Sequence, residues 1–381
     1  MRAPRDFAKR VIVWQRVHGR RDLPWQTFSP QGRPKARTAP PKGQRSGRIG
    51  HPGRRRGGPT DSRDPYRIWL SEIMLQQTQV ATVVPYFERF VTKFPDVCAL
   101  ASAPLDDVLA AWSGLGYYRR AHHLHAAAQR IVADHGGEFP RDSATLATLP
   151  GIGRSTAAAV AVFSQDERTA ILDGNVKRVI ARHRAIEGFP GAPKVTAVLW
   201  ALADALLPPR SDIGAYTQGL MDLGATVCTR ANPRCDVCPL KRDCLARRDD
   251  RISELPSPRP RKSLPHRTVR VLLFERSGEI LLEKRPPIGI WAGLWSLPEI
   301  ALDADARAFA RMRLDAEATV GVDLTPIQHG FTHFALTLYP QRVNVAKWPS
   351  RAESPQYVWL SRDDALQAAL PAPIRKLLRS L

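Results

Sequence analysis

Four of the five cysteines in this chain lie within one short segment, as Cys228, Cys235, Cys238 and Cys244. Their spacing, C-x6-C-x2-C-x5-C, lets one stretch of chain offer four thiolates to a metal centre. Two disulfides would need an oxidising compartment, and a tetrahedral zinc is the rival on chemistry alone. The wide, uneven spacing differs from the short paired knuckles typical of zinc and favours an iron–sulfur cube, which is larger than one ion.

Two carboxylates stand in settings that could support acid–base chemistry. Glu72 follows Ser71 and precedes an apolar run, where desolvation would raise its pKa and favour proton donation. Asp173 follows two apolar residues and precedes a predicted helix, as does Asn175. The alternatives are a solvated helix residue for Glu72 and a helix N-cap for Asp173.

A glycine turn in Leu149-Pro-Gly-Ile-Gly-Arg-Ser155 leads into a predicted helix. Gly151 and Gly153 allow a sharp turn, and the free amides at the start of the helix, including that of Ser155, suit a DNA phosphate. With the preceding helix this is a helix-hairpin-helix element. The alternative is an ordinary turn that contains glycine.

Two further segments could contact bases. The loop Ser113-Gly-Leu-Gly-Tyr-Tyr118 carries Leu115 and Tyr117, which could push into a base stack while the following arginines hold phosphates. Gln77 lies in a polar run that could contact base edges. Core packing of a tyrosine and a plain surface face are the respective alternatives.

The formal net charge of +21 favours a polyanionic partner. Nucleic acid is the first candidate and an anionic membrane surface the second, although a GC-rich genome that favours arginine would also raise the charge. No apolar run is long enough to span a membrane, and the N-terminus lacks a signal stretch. We therefore expect a cytoplasmic protein.

The chain divides into four regions by composition. Residues 1–25 and 64–245 are predicted to be helical, with Asp64-Pro65 beginning a helix that runs at helical spacing from Trp69 to Phe87. Residues 26–63 hold ten lysines and arginines against one acid, and they are predicted to form a disordered basic insert. Residues 246–265 are predicted to be a linker, and 266–381 an α+β domain.

Together, the segments SEIMLQQTQV, GLGYYRRA, LPGIGRSTA, ILDGNVKR and the cysteine cluster resemble the helix-hairpin-helix DNA glycosylase superfamily that carries an iron–sulfur cluster. The resemblance implies one 4Fe-4S cluster on the four cysteines. The endonuclease III branch has a lysine where this chain has Ser155, whereas the adenine glycosylase branch (MutY type) lacks that lysine and has a glutamate at the position of Glu72. The chain therefore resembles the adenine glycosylase branch.

That resemblance implies a monomeric, monofunctional enzyme that removes adenine mispaired with 8-oxoguanine or guanine in double-stranded DNA. Glu72 would protonate the flipped adenine, and Asp173 would stabilise the positive sugar, with Asn175 orienting either of them. Leu115 and Tyr117 would wedge into the duplex, and Gln77 would contact the separated pair. The amides of the glycine turn, at Gly151, Gly153 and Ser155, would hold the phosphate.

The C-terminal region resembles the Nudix fold but lacks the glutamate array that binds magnesium in working Nudix hydrolases. Phe331, Thr332 and His333 match the loop that contacts 8-oxoguanine in the family, so the resemblance implies a lesion-reading domain. Three alternatives stay open: an endonuclease III-like pyrimidine-lesion glycosylase, a non-catalytic DNA-binding protein and a Nudix hydrolase. Ser155 argues against the pyrimidine-lesion glycosylase, and the missing glutamates argue against the Nudix hydrolase. A mere DNA-binding protein would need neither Glu72 nor Asp173.

Overall fold

The computed structural model describes residues 6–26, 63–260, 263–347 and 356–381. Within them the chain forms a helical unit, which ends near residue 260, and a sheet unit, which begins at residue 266. Apart from its end residues Gln26 and Arg63, the predicted basic insert lies outside the described residues. None of the helices in the described ranges combines the length and apolar character needed to cross a bilayer.

The described part of the helical unit contains twelve α-helices and one 3-10 turn, Arg210–Asp212. The helices α1 to α12 are Phe7–His18, Pro65–Leu75, Val80–Lys93, Val97–Ser102, Leu105–Trp112, Arg119–His135, Ser143–Leu146, Arg154–Gln165, Gly174–Arg184, Pro193–Ala205, Ile213–Thr226 and Leu245–Arg248. Asp64 caps α2 as predicted, because its carboxylate accepts the Tyr66 N–H at 2.9 Å. The short helices α4 and α7 lie within residues 64–245, which the sequence predicted to be helical.

The prediction of one continuous helix from Trp69 to Phe87 is wrong. The chain leaves helical geometry at Gln76, and Gln77 has a left-handed backbone with a φ of 57°. The guanidinium of Arg120 stabilises this break by donating to the carbonyl oxygens of Met74 and Gln76, at 2.8 and 2.6 Å. A hydrophobic repeat does not report such a turn, because the apolar side chains on both sides of it face the same core.

Two hydrophobic cores build the helical unit. The first contains Trp69, Phe87 and Trp112, and the second contains Phe7 and Leu223, all fully buried. Helix α8 lies between them, because it is built from small buried residues that contribute to both cores (Ala157, Ala158, Ala159, Val160, Ala161 and Val162). The gap that opens beside α8 is the site described below.

The sheet unit contains one eight-stranded sheet within the described residues. Its strands β1 to β8 are His266–Arg276, Glu279–Lys284, Trp295–Ser296, Glu299–Ile300, Glu317–Asp323, Ile327–Gly330, Ala335–Lys347 and Tyr357–Ser361. The central order is β3-β2-β1-β7-β5, with β1 and β7 parallel. Helices α13, α14 and α15 are Ala306–Leu314, Arg362–Gln367 and Ala372–Ser380. Helix α13 contains no glutamate, as the sequence analysis expected of this region.

The two units pack directly against each other. The first hydrophobic core includes Leu109 of α5 together with Leu294, Ile374 and Leu377 of the sheet unit. The segment predicted as a linker is also held, since Leu255 is buried and its carbonyl oxygen accepts a 2.7 Å hydrogen bond from Arg182. The sheet unit is therefore fixed on the helical unit by apolar burial rather than tethered by a free chain.

Candidate active site

One cavity of about 1140 Å³ lies beside α8 between the two hydrophobic cores. Glu72 from α2, Ser155 from α8, and Asp173 and Asn175 at the start of α9 all line it. The four residues are spread over about one hundred positions in sequence, so only the fold brings them together. The structure thus unites the residues for which the sequence analysis predicted chemistry or contact at a cleft.

The surroundings of Glu72 favour the protonated form of its carboxyl. Burial in the cavity wall raises the pKa of its carboxyl to about 8, and the negative charge of Asp173 raises it further. Both effects disfavour the Glu72 anion. At neutral pH Glu72 is therefore predominantly protonated.

Asp173 has a different environment in the same cavity. Its carboxylate caps α9, where Oδ1 accepts the N–H of Val176 at 2.7 Å. Burial raises the pKa of Asp173, and the bond from Val176 and the positive charge of Arg178 oppose that effect. The positive end of α9 also favours the anion. Asp173 is thus both a helix cap and a cavity carboxylate, and the two interpretations do not exclude each other.

Asn175 and Ser155 are each fixed by a hydrogen bond. Arg178 donates to Asn175 Oδ1 at 2.8 Å, and the same guanidinium reaches the carbonyl oxygen of Cys228 at 2.7 Å. The Ser155 hydroxyl accepts the backbone N–H of Leu172 at 3.0 Å. Ser155 therefore stabilises the strand-like segment that delivers Asp173 to the cavity.

A polar part of the cavity wall was missed by the sequence analysis. Gln26 donates to Gln218 Oε1 at 2.9 Å, and Gln218 donates to Asp222 Oδ1 at 3.0 Å. Asp222 is buried and pairs with Arg20 at 2.7 Å. The sequence did carry a signal, because Asp222 is a lone acid in the apolar run of α11.

The glycine turn has the geometry that the sequence analysis predicted. Gly151 has a φ of 73°, and a Cβ there would lie 2.6 Å from Cβ of His123, so no larger residue fits. Gly153 is exposed and caps α8 without a side chain. The first amides of α8, at Arg154 and Ser155, are thus available to an anion.

The two predicted base-contacting segments lie side by side, and the glutamine segment also lines the cavity through Gln76 and Gln79. Arg120 donates to Gln76 in one segment and to Leu115 and Gly116 in the other. Tyr117 is 50% exposed with a φ of 50°, whereas Leu115 is buried in the first core. Gln77 is exposed at the neighbouring tip. Tyr117 and Gln77 are the side chains that these tips present, and Leu115 lies beneath them.

The segment Phe331–His333 connects β6 to β7 in the sheet unit. Phe331 stacks on Phe334 with ring centroids 4.4 Å apart and lies 5.7 Å from the ring of Trp291. Thr332 and His333 are exposed. The aromatic contacts hold this loop in shape, and its polar side chains do not line the cavity.

The four cysteines Cys228, Cys235, Cys238 and Cys244 line one small cavity between the ends of α9 and α11. Arg182 donates to Cys228 Sγ at 3.5 Å. Among the described residues, no three His, Cys, Asp or Glu side chains are placed to share a single metal ion.

Family comparisons agree with this architecture. Residues 70–204 match the HhH-GPD superfamily of base excision DNA repair proteins, and residues 269–380 match the NUDIX domain. The fold and the site together define a helix-hairpin-helix base-excision DNA glycosylase joined to a Nudix-like domain.

Curated relatives match most of the chain. It is 30% identical over 375 residues to the adenine DNA glycosylase of Buchnera aphidicola subsp. Acyrthosiphon pisum (strain APS), covering 98% of this chain and 97% of that protein. It is 34% identical to that of Rattus norvegicus, covering 83% and 72% of the two chains. The corresponding values for Homo sapiens are 32%, 83% and 68%. The chain belongs to the adenine DNA glycosylase family.

The raised pKa of Glu72 predicts a pH dependence of stability. Between about pH 4.5 and 8 the folded protein keeps the Glu72 proton that the unfolded chain releases. The free energy of unfolding of the wild type should therefore fall, relative to Glu72→Gln, as the pH rises through this interval. Urea unfolding of both proteins at several pH values measures the difference. A pH-independent difference would show that Glu72 titrates normally.

Proposed function

We propose that the protein is a monofunctional adenine DNA glycosylase, which hydrolyses the N-glycosidic bond of adenine mispaired with 8-oxoguanine or guanine. The observation that carries this proposal is that Glu72 and Asp173 share one cavity but differ in what stabilises their charges. Such a pair supplies an acid and an anion at neutral pH. The names of the relatives support adenine as the base removed.

The proposed reaction begins with extrusion of the adenine, because the cavity lies inside the helical unit and cannot receive a base that stays stacked. Glu72 donates its proton to the adenine ring and makes it a better leaving group. The sugar becomes oxocarbenium-like, and ionised Asp173 stabilises that charge. Asn175, which is held by Arg178, orients the sugar relative to Asp173. Water then completes the hydrolysis and leaves an abasic site.

The cavity chemistry disfavours the rival pyrimidine-lesion glycosylase, which would cleave the strand through a Schiff base. That reaction needs an amine, and the described residues that line the cavity include no lysine. Ser155 stands at the position in question and is occupied with the Leu172 amide. The proposed enzyme therefore stops at base removal.

Contacts to duplex DNA are proposed for three surfaces. The exposed amides of Gly151 and Gly153 and the start of α8 at Ser155 bind a phosphate. Tyr117, backed by Leu115, wedges into the stack beside Gln77. The exposed polar groups of Thr332 and His333, presented by Phe331, read the 8-oxoguanine. We further propose that the protein acts as a monomer.

We propose that Cys228, Cys235, Cys238 and Cys244 hold one 4Fe-4S cluster. Four thiols line one cavity, four thiolates are the ligand set of such a cluster, and Arg182 supplies positive charge beside them. The bound cluster would cross-link the loop after α11 and supply no group to the hydrolysis. Arg178 connects this loop to Asn175, so the loop supports the active site mechanically.

The activity predicts a specific product pattern. A duplex with one adenine opposite 8-oxoguanine is incubated with the protein and analysed with and without hot alkali. Strand breaks should appear only after alkali, because the product is an abasic site. Glu72→Gln should react at least about 100-fold more slowly, since general acid catalysis contributes roughly 10²–10⁴-fold. Glu88→Gln, an exposed glutamate on α3, is the matched control.

Breaks without alkali would contradict the monofunctional assignment, and unchanged turnover by Glu72→Gln would remove Glu72 as the acid. Loss of thymine or of an oxidised pyrimidine in place of adenine would move the function to the rival class.

The cluster proposal predicts the metal content of the purified protein. Anaerobically prepared wild type should contain about four iron atoms and four acid-labile sulfides per chain. Cys238→Ser should lose most of both, whereas Cys98→Ser, at the exposed cysteine outside the cavity, should keep them. One zinc per chain with no iron would refute the cluster.

A further inference from the structure

The loop 113–118, which carries Tyr117, accepts hydrogen bonds from both the helical unit and the sheet unit. Arg120 holds it from the helical unit, as described above. On the opposite side, Arg375 of α15 donates to Ser113 Oγ at 2.6 Å. Ser113 Oγ lies 3.2 Å from the Tyr118 hydroxyl, which donates to the carbonyl oxygen of Leu370 at 2.9 Å. The sheet unit therefore contacts this loop through two side chains of the loop itself.

Arg375 is fixed within its own unit before it reaches the loop. Its guanidinium donates to the carbonyl oxygens of Ala368, at 2.9 Å, and Leu366, at the end of α14. Ile374 and Leu377 bury α15 in the core that both units share. Among the described residues no carboxylate pairs with Arg375 within 4.0 Å. The Arg375 guanidinium therefore donates to three oxygen atoms, one of which, Ser113 Oγ, belongs to the loop.

The loop needs such external support. Tyr117 has a φ of 50°, in the left-handed region that a tyrosine occupies only when its surroundings enforce it. Gly114 has a φ of 103°, and a Cβ there would lie 2.1 Å from the Tyr86 hydroxyl oxygen. The entry to the loop is therefore crowded, and its tip is strained. Bonds at Ser113 and Tyr118, on either side of the tip, are well placed to hold the strain.

We propose that Arg375 is a positioning residue for base extrusion. Its bond to Ser113 fixes the loop 113–118 against the sheet unit and so holds Tyr117 in the conformation that enters the duplex. Through this bond the lesion-reading unit supports the wedge that opens the base pair, and the two act together on one mispair. The inference rests on the proposed function, because the wedge is a part of that function.

The test compares Arg375→Ala with Arg379→Ala in the full chain. Arg379 lies on the same helix, is exposed and carries the same charge, so it is the matched control. Base extrusion is followed by the fluorescence of 2-aminopurine placed beside the target adenine, opposite 8-oxoguanine, and excision is followed under single-turnover conditions. Arg375→Ala should slow both about tenfold, while its Kd for the duplex changes less than about twofold. Arg375→Lys should recover part of the rate, and Arg379→Ala should match the wild type.

Hydrogen exchange of the free protein tests the same bond without activity. Amides of residues 113–118 should exchange faster in Arg375→Ala than in Arg379→Ala. Ser113→Ala, which leaves the bonds of Arg375 to α14 intact, should give the same faster exchange even if Arg375→Ala folds poorly. In a double-mutant cycle the effects of the two changes on extrusion should not add.

Equal exchange and equal extrusion in Arg375→Ala and Arg379→Ala would overturn the proposal, and so would normal exchange in Ser113→Ala. If the wild type excises adenine while these variants behave normally, only the role of Arg375 fails. If the wild type excises nothing, the proposed function fails, and Arg375 then has no reaction step to position.

Discussion

The burial of two carboxyl groups in the cavity between the two helical cores is the constraint on which the rest of the structure depends. Water would ionise both Glu72 and Asp173 at neutral pH. Burial penalises both anions, and only Asp173 receives compensation, from the Val176 amide and the start of α9. One cavity therefore holds two carboxyl groups of raised pKa, and only Asp173 has neighbouring groups that favour its anion. The surrounding elements maintain this difference between the environments of Glu72 and Asp173.

The helices around the cavity are positioned by contacts that leave little freedom. The small side chains of α8 let it approach both cores, and Ser155 on that helix binds the segment before Asp173. Arg178 connects Asn175 to the loop of the cysteines. Arg120 fixes the end of α2, four residues after Glu72. Arginines bound mainly to backbone carbonyl oxygens thus connect the cavity to the segments proposed to contact DNA.

The sequence predicted most of the helices and the division into two units, because hydrophobic spacing and Asp-Pro or glycine signals are local. It did not predict the break at Gln76, which depends on the distant Arg120. It predicted strands at the positions of β1, β2, β7 and β8 but missed β3 to β6, of which β3 and β4 have only two residues and so no periodicity.

The candidate site also divides into features with a local sequence signal and features that depend on contacts between distant residues. Glu72 and Asp173 were predictable because a carboxylate among apolar residues is unusual locally and the family resemblance pointed to both. The polar pair of Gln26 and Gln218 in the cavity wall, which is bonded to the buried Asp222, was not predictable, because these residues meet only in the folded protein. Leu115 illustrates the opposite limit, since its place in an exposed-looking motif did not reveal that its side chain is buried.

The pH dependence of single-turnover adenine excision tests the central claim most directly, with adenine opposite 8-oxoguanine as the substrate. If Glu72 donates its proton from a pKa of about 8, the rate should be constant near neutrality and fall about tenfold per pH unit above about 8. It should also fall in acid as Asp173 becomes protonated, and the alkaline decline should disappear in Glu72→Gln. The account would be contradicted if the excision rate already fell with rising pH from about pH 4.5. A fall of the rate above about pH 8 that persists in Glu72→Gln would contradict it as well.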